Sequence, residues 1–171
     1  FQQVKSFLTV NEQVDLFLNL KRKGSTEAGF LAFLALTAEG YAKKKPENLF
    51  EAVKIIKNIN LPELDKMPLI GCLDLLLANI ESAENKFLLS SDENLKEWLN
   101  LYEGERLDAI CLYCKNWLEN EVLKGYQDIR IDEVDLDSWF GDNEIQEFIE
   151  KVEKKSNYAL SGAYIRKLGN N

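Results

Sequence analysis

From Glu105 to Tyr126 the apolar residues Leu107, Ile110, Cys111, Cys114, Trp117, Leu118 and Val122 recur at steps of three and four. That is the period of one helix face, so the stretch predicts about twenty residues of amphipathic helix. A stripe of this length has to be covered by other helices. The rest of the chain supplies several of the same kind, so the predicted class is all-α: an irregular bundle of about seven to nine antiparallel helices with one tetratricopeptide-like hairpin.

Taken in order, Thr9 with Glu12 reads as a capping box before a helix over Val10 to Arg22, striped by Val14, Phe17, Leu18 and Lys21. Gly24 closes it. A second helix is predicted from Ser25 to Lys45, rich enough in apolar residues to be buried on more than one side. Gly29, Ala32, Leu36 and Gly40 would let a neighbouring helix come close. Pro46 opens a third helix, carried by Leu49, Phe50, Val53, Ile56 and Ile59. Pro62 and Pro68 break the pattern over 61–68. A helix from Leu69 to about Asn79, a turn and a second helix follow, with Ala78 and Ala83 at the crowded corner. This is the tetratricopeptide-like unit, and no second copy stands at the 34-residue period, so a regular array is not expected. Asp92 and Asp142 are placed to cap the helices after them. Residues 1–155 therefore read as one helical domain with a candidate subdivision at 61–68, and 156–171 as a tail or short helix leading to a linker.

At 171 residues and 46% hydrophobic, the chain can bury a real core. No apolar run is long enough to span a bilayer and the N-terminus lacks the charged and apolar regions of a signal peptide, so a soluble chain is expected. Phe1 in place of an initiator methionine reads as the start of an excised piece. A net charge of −8 argues against nucleic acid as the partner. Zero histidines exclude imidazole-based triads, His acid/base chemistry and His-containing zinc sites within this sequence. Three cysteines with no secretory signal point to a reduced setting.

Each candidate site has a plainer structural reading. Cys111 and Cys114 match a CxxC, but they lie inside an apolar stripe and a four-cysteine zinc site lacks its second pair, so core packing is expected. Asp132, Glu133, Asp135, Asp137 and Asp142 fail the calcium-loop spacing and read as a solvated loop with capping acids. Carboxylate pairs are present, as in any acidic helical protein, with almost no specificity. Trp98, Trp117, Trp139 and Phe140 are read as core. No catalytic, cofactor or metal residues are predicted. The candidates for partner binding are the two basic clusters, Lys21, Arg22, Lys23 and Lys43, Lys44, Lys45, although both sit at helix C-termini, where cations are favoured anyway.

The order and spacing of TVNEQVDLF (9–17), EGYAKKKP (39–46), GCLDLLLANIESAE (71–84), ICLYCKNWLENEVLKGYQD (110–128) and VDLDSWFGDNEIQEFIEKVE (134–153) carry a resemblance. Over roughly residues 7 to 155 the chain resembles the family of the cyanobacterial cell-division protein ZipN and its plastid-division counterparts. The resemblance implies the helical middle of a membrane-anchored organiser that supports assembly of the FtsZ ring. In such a protein a J-like region precedes this part, and a transmembrane helix and a further domain follow. It implies a non-enzymatic interaction scaffold without cofactors, on the cytoplasmic face of the inner membrane or the stromal face of the plastid inner envelope. The partners would be FtsZ and other division proteins, the J-like region being the part most associated with FtsZ. From the residues alone, two alternatives stand beside it: a small helical enzyme or ligand-binding domain using carboxylates, and a passive spacer.

Overall fold

The computed structural model describes residues 7–154. Among them every regular element is helical and none is a strand. The predicted tail at 156–171 lies outside the described residues.

Three helices form the first layer: α1 (Val10–Arg22), α2 (Thr26–Ala42) and α3 (Pro46–Asn58). Thr9 Oγ1 accepts from the Glu12 N–H at 3.2 Å, and Ser25 Oγ accepts from the Ala28 N–H at 3.1 Å. Two of the orphan donors at these helix starts are thereby satisfied. Ten of the seventeen residues of α2 are buried, which makes it the central strut between α1 and α3. Its small residues do what their spacing predicts: a Cβ on Gly40 would stand 2.8 Å from Leu49 Cδ2, and one on Gly29 3.2 Å from Ile59 Cδ1. The buried Glu39 carboxylate accepts from Asn11 Nδ2 on α1 at 3.1 Å and from Asn48 Nδ2 on α3, so one acid joins three helices.

α2 stops at Ala42, three residues before the predicted end, because Lys44 turns into the left-handed region at φ 53°. Lys45 N–H then bonds Gly40 O at 2.9 Å and Lys44 N–H bonds Tyr41 O, the paired closure of a Schellman turn. The turn after α1 closes the same way around Gly24, and the turn after the next helix around Ala78 at φ 60°.

That next helix, α4 (Met67–Leu76), pairs with α5 (Ile80–Leu88) as the predicted hairpin. α4 starts before Pro68 rather than after it: proline is tolerated in the first turn, where its missing N–H has no partner to lose. Asp65 secures the break ahead of α4, accepting from Ser90 Oγ at 2.6 Å and Ser91 N at 3.2 Å. Gly71 is where α4 and α5 touch. A Cβ there would meet the Phe87 ring at 2.7 Å, and that ring is fully buried with its edge against Tyr113, centroids 5.2 Å apart. Gly71→Ala should therefore cost about 1–3 kcal/mol by overpacking, read as a lower urea midpoint at unchanged m-value.

α6 (Glu93–Leu101) starts at Asp92, whose Oδ1 accepts from Asn94 N and Leu95 N, and leads to α7 (Arg106–Trp117). The predicted unbroken helix to Tyr126 is a shorter α-helix followed by a π turn, Leu118–Val122, closed by Leu123 N–H to Leu118 O at 2.9 Å. Widening the helix there keeps Leu118, Val122 and Leu123 all buried.

Residues 126–154 then run back over the first layer. Asp128 Oδ1 accepts from Val10 N at 2.9 Å, and its Oδ2 pairs with Lys43 Nζ at 3.2 Å. α8 (Leu136–Gly141), capped by Asp135, inserts Trp139. The last helix among the described residues, α9 (143–154), has Asp142 as its N-cap and sets Phe148 against Phe50, centroids 5.5 Å apart. Its Asp142 also pairs with Lys44 at 2.6 Å.

This return segment makes stability pH-dependent. Burial pushes the Asp128 carboxyl up, but the Val10 N–H and Lys43 outweigh it and hold it below its ordinary 3.8. Asp142 is also lowered, first by Lys44 and then by the Ile145 N–H. Folded values below the unfolded ones mean that the stabilisation is present above about pH 4 and lost as pH falls through the folded values. Asp128→Asn should thus be less stable at neutral pH and lose less on acidification, compared by urea melts at about pH 6 and pH 3.

Candidate functional site

The two basic clusters lie at opposite ends of α2, about 25 Å apart at 1.5 Å per residue, so they do not form one patch. Lys43 and Lys44 are engaged by Asp128 and Asp142. Lys21, Arg22 and Lys23 are exposed at the α1–α2 turn, and Lys45 is exposed at the start of α3.

The cysteines have no redox or metal geometry. Cys72 and Cys114 are buried together, with the Cys114 thiol 3.8 Å from Cys72 O, and Cys111 is half-buried. Burial raises the Cys72 and Cys111 thiols, and for both the neighbouring Cys114 adds to it. High thiol pKa values disfavour the reactive thiolate. Among the described residues no group of His, Cys, Asp or Glu is arranged to hold a metal ion.

Among the described residues, three surface clefts stand out. One of about 540 Å³ lies between α3, the α4–α5 corner and α9, with Phe50, Val53, Phe148 and Val152 inside and charges of both signs at its edge, Lys54 and Lys57 against Glu153. Another of about 540 Å³, beside Cys111 and Leu112, is bordered by Lys115 together with Glu133, Asp135 and Asp137. The third, about 420 Å³, lies between α6, α7 and the π turn. Leu95, Trp98, Tyr113 and Trp117 form its apolar side, with Asn94, Asn116, Asn120, Asp92 and Glu121 around them.

Trp98 corrects the sequence reading. Predicted as core, it is 37% exposed, because the short α6 buries only Leu95 and Leu99 and leaves Trp98 stacked edge-on against Tyr102. Trp117 and Trp139 are buried as predicted, and Phe140 is half-buried. Nothing in the helical period distinguished Trp98, which falls beside the stripe residues Leu95 and Leu99.

Successive helices paired antiparallel define an α-helical domain of the solenoid class. The family model of the plastid division regulator alpha solenoid domain, ARC6, matches residues 7–169, and the chain belongs to that family. The family is one of division regulators rather than a known enzyme family. No curated protein and no solved structure matches the chain. No helix among the described residues is long and apolar enough to cross a membrane.

Proposed function

We propose that this domain is a non-enzymatic scaffold of the division machinery that supports assembly of the FtsZ ring, as the cytoplasmic or stromal part of a membrane-anchored organiser. The family match over residues 7–169 carries this reading, and the motif order shared with ZipN and its plastid counterparts supports it. Exposed clefts on a fixed helical frame suit a protein that holds segments of other proteins. Of the two basic clusters, this reading favours Lys21, Arg22 and Lys23 for an acidic partner, since Lys43 and Lys44 pair with the chain's own carboxylates and leave Lys45 alone at the other end of α2. The test is replacement of this domain, within the full-length protein, by an unrelated helical spacer of similar length. The scaffold reading expects misplaced or fragmented rings; normal rings would favour the passive spacer. Reversing Lys21, Arg22 and Lys23 to Glu should weaken partner recruitment about tenfold and cost about 1–3 kcal/mol of stability, because anions replace cations at a helix C-terminus. Pulldown from lysate and a thermal melt measure the two effects.

A further inference from the structure

The cleft beside α6 differs from the other two in three ways. Its lining includes two carboxylates, Asp92 and Glu121, and no lysine or arginine. It also carries three side-chain amides, Asn94 on one wall with Asn116 and Asn120 one turn apart on the other. All three are exposed. Finally, its wall contains the π turn at Leu118–Val122, which sets the angle at which Asn120 and Glu121 leave the helix. Such widened turns are frequent at functional sites.

These groups match the needs of an extended peptide. Its backbone offers a row of N–H and C=O groups, which an amide side chain can answer with both donor and acceptor. The half-exposed indole of Trp98 gives a flat face for the stem and charge of a Lys or Arg, and the carboxylates give that charge a counter-ion. The field in the cleft is negative. The Tyr113 hydroxyl at its floor is pushed up to about 12, first by burial and then by Cys72, Glu121, Asp65 and Asp92.

We propose that the cleft formed by α6, α7 and the π turn binds an extended, lysine- or arginine-bearing segment of a partner protein. Trp98 supports its cationic side chain, the three asparagines read its backbone, and Asp92 and Glu121 fix its charge. The inference rests on the scaffold reading, and names the kind of segment that a scaffold of this shape would hold.

The test uses the whole chain and three labelled synthetic peptides followed by fluorescence anisotropy at about 0.15 M salt. One is a Lys/Arg/Ser/Gly peptide, one has every cation replaced by Glu, and one is the basic peptide N-methylated at alternate residues. The basic peptide should bind, the acidic one should not, and N-methylation should weaken binding about tenfold. Asn116→Ala with Asn120→Ala, and separately Asp92→Asn with Glu121→Gln, should each weaken it about tenfold. Glu103→Gln with Glu105→Gln, outside the cleft lining, should leave it within about twofold. Equal loss from the two carboxylate pairs would mean general attraction to an acidic protein and would overturn the proposal. So would preference for the acidic peptide, or indifference to N-methylation. FtsZ sedimentation run in parallel separates the two readings: sedimentation without peptide binding removes the cleft assignment alone, and peptide binding without sedimentation removes only the ring partner.

Discussion

Trp117→Ala should destabilise the domain by about 3–5 kcal/mol, one of the two largest effects expected of any single substitution here. Trp117 is only 5% exposed and sits at the end of α7, where the helix widens into the π turn. Its ring packs against Phe33 on the central helix α2, centroids 6.1 Å apart, so it ties the second half of the chain to the first layer. Removing the indole leaves a cavity between elements that cannot collapse independently. At about 2–4 °C per kcal/mol for a domain of this size, the melting temperature should fall by roughly 6–20 °C. A scan by circular dichroism measures it. A change below about 1 kcal/mol would mean that the α2 to α7 contact is not what holds the halves together.

Trp139→Ala should cost a similar amount, for a second reason. The Trp139 indole stacks on Tyr41 of α2 at 5.3 Å, and its Nε1–H donates to Leu76 O at 2.8 Å. Leu76 is the last residue of α4, so its carbonyl is one of those a helix end leaves without a partner. Truncation removes packing and strands that buried carbonyl, and about 3–5 kcal/mol is expected. Trp139→Phe keeps most of the ring and loses only the donor, so about 1–3 kcal/mol should separate it from the wild type. Urea unfolding of the two variants side by side distinguishes packing from hydrogen bonding.

Helix existence and the core face were legible in the sequence because burial repeats at the helical period: Val14, Phe17, Leu49, Ile56, Ile110 and Cys114 are all buried where the stripes put them. The turns were only half legible. Gly24 announces its left-handed position, whereas Lys44 and Ala78 adopt the same conformation with no glycine to signal it. A left-handed Ala or Lys costs roughly 1–2 kcal/mol, and the paired bonds and packing of each hairpin have to offset that. The π turn was hidden as well, since it changes hydrogen-bond register and not composition. The fixed repeat of a solenoid was absent because the helices differ in length, from 17 residues in α2 to six in α8. What placed the chain in a division family was the order of several weak segments, not any chemical motif. The basic clusters were legible as charge but not as partners: Asp128 and Asp142, which hold Lys43 and Lys44, lie 85 and 98 positions further along the chain. The cleft beside α6 was missed because Asn94, Asn116 and Asn120 form no local pattern.

The claim that this domain is a scaffold for the division ring is tested most directly by sedimenting purified FtsZ filaments with this domain, alone and extended at its N-terminus. The account predicts that at least one of the two forms enters the pellet with FtsZ in a saturable way and shifts the amount of FtsZ sedimented. If neither form sediments with FtsZ or changes its sedimentation, while both remain folded by circular dichroism, the account is contradicted.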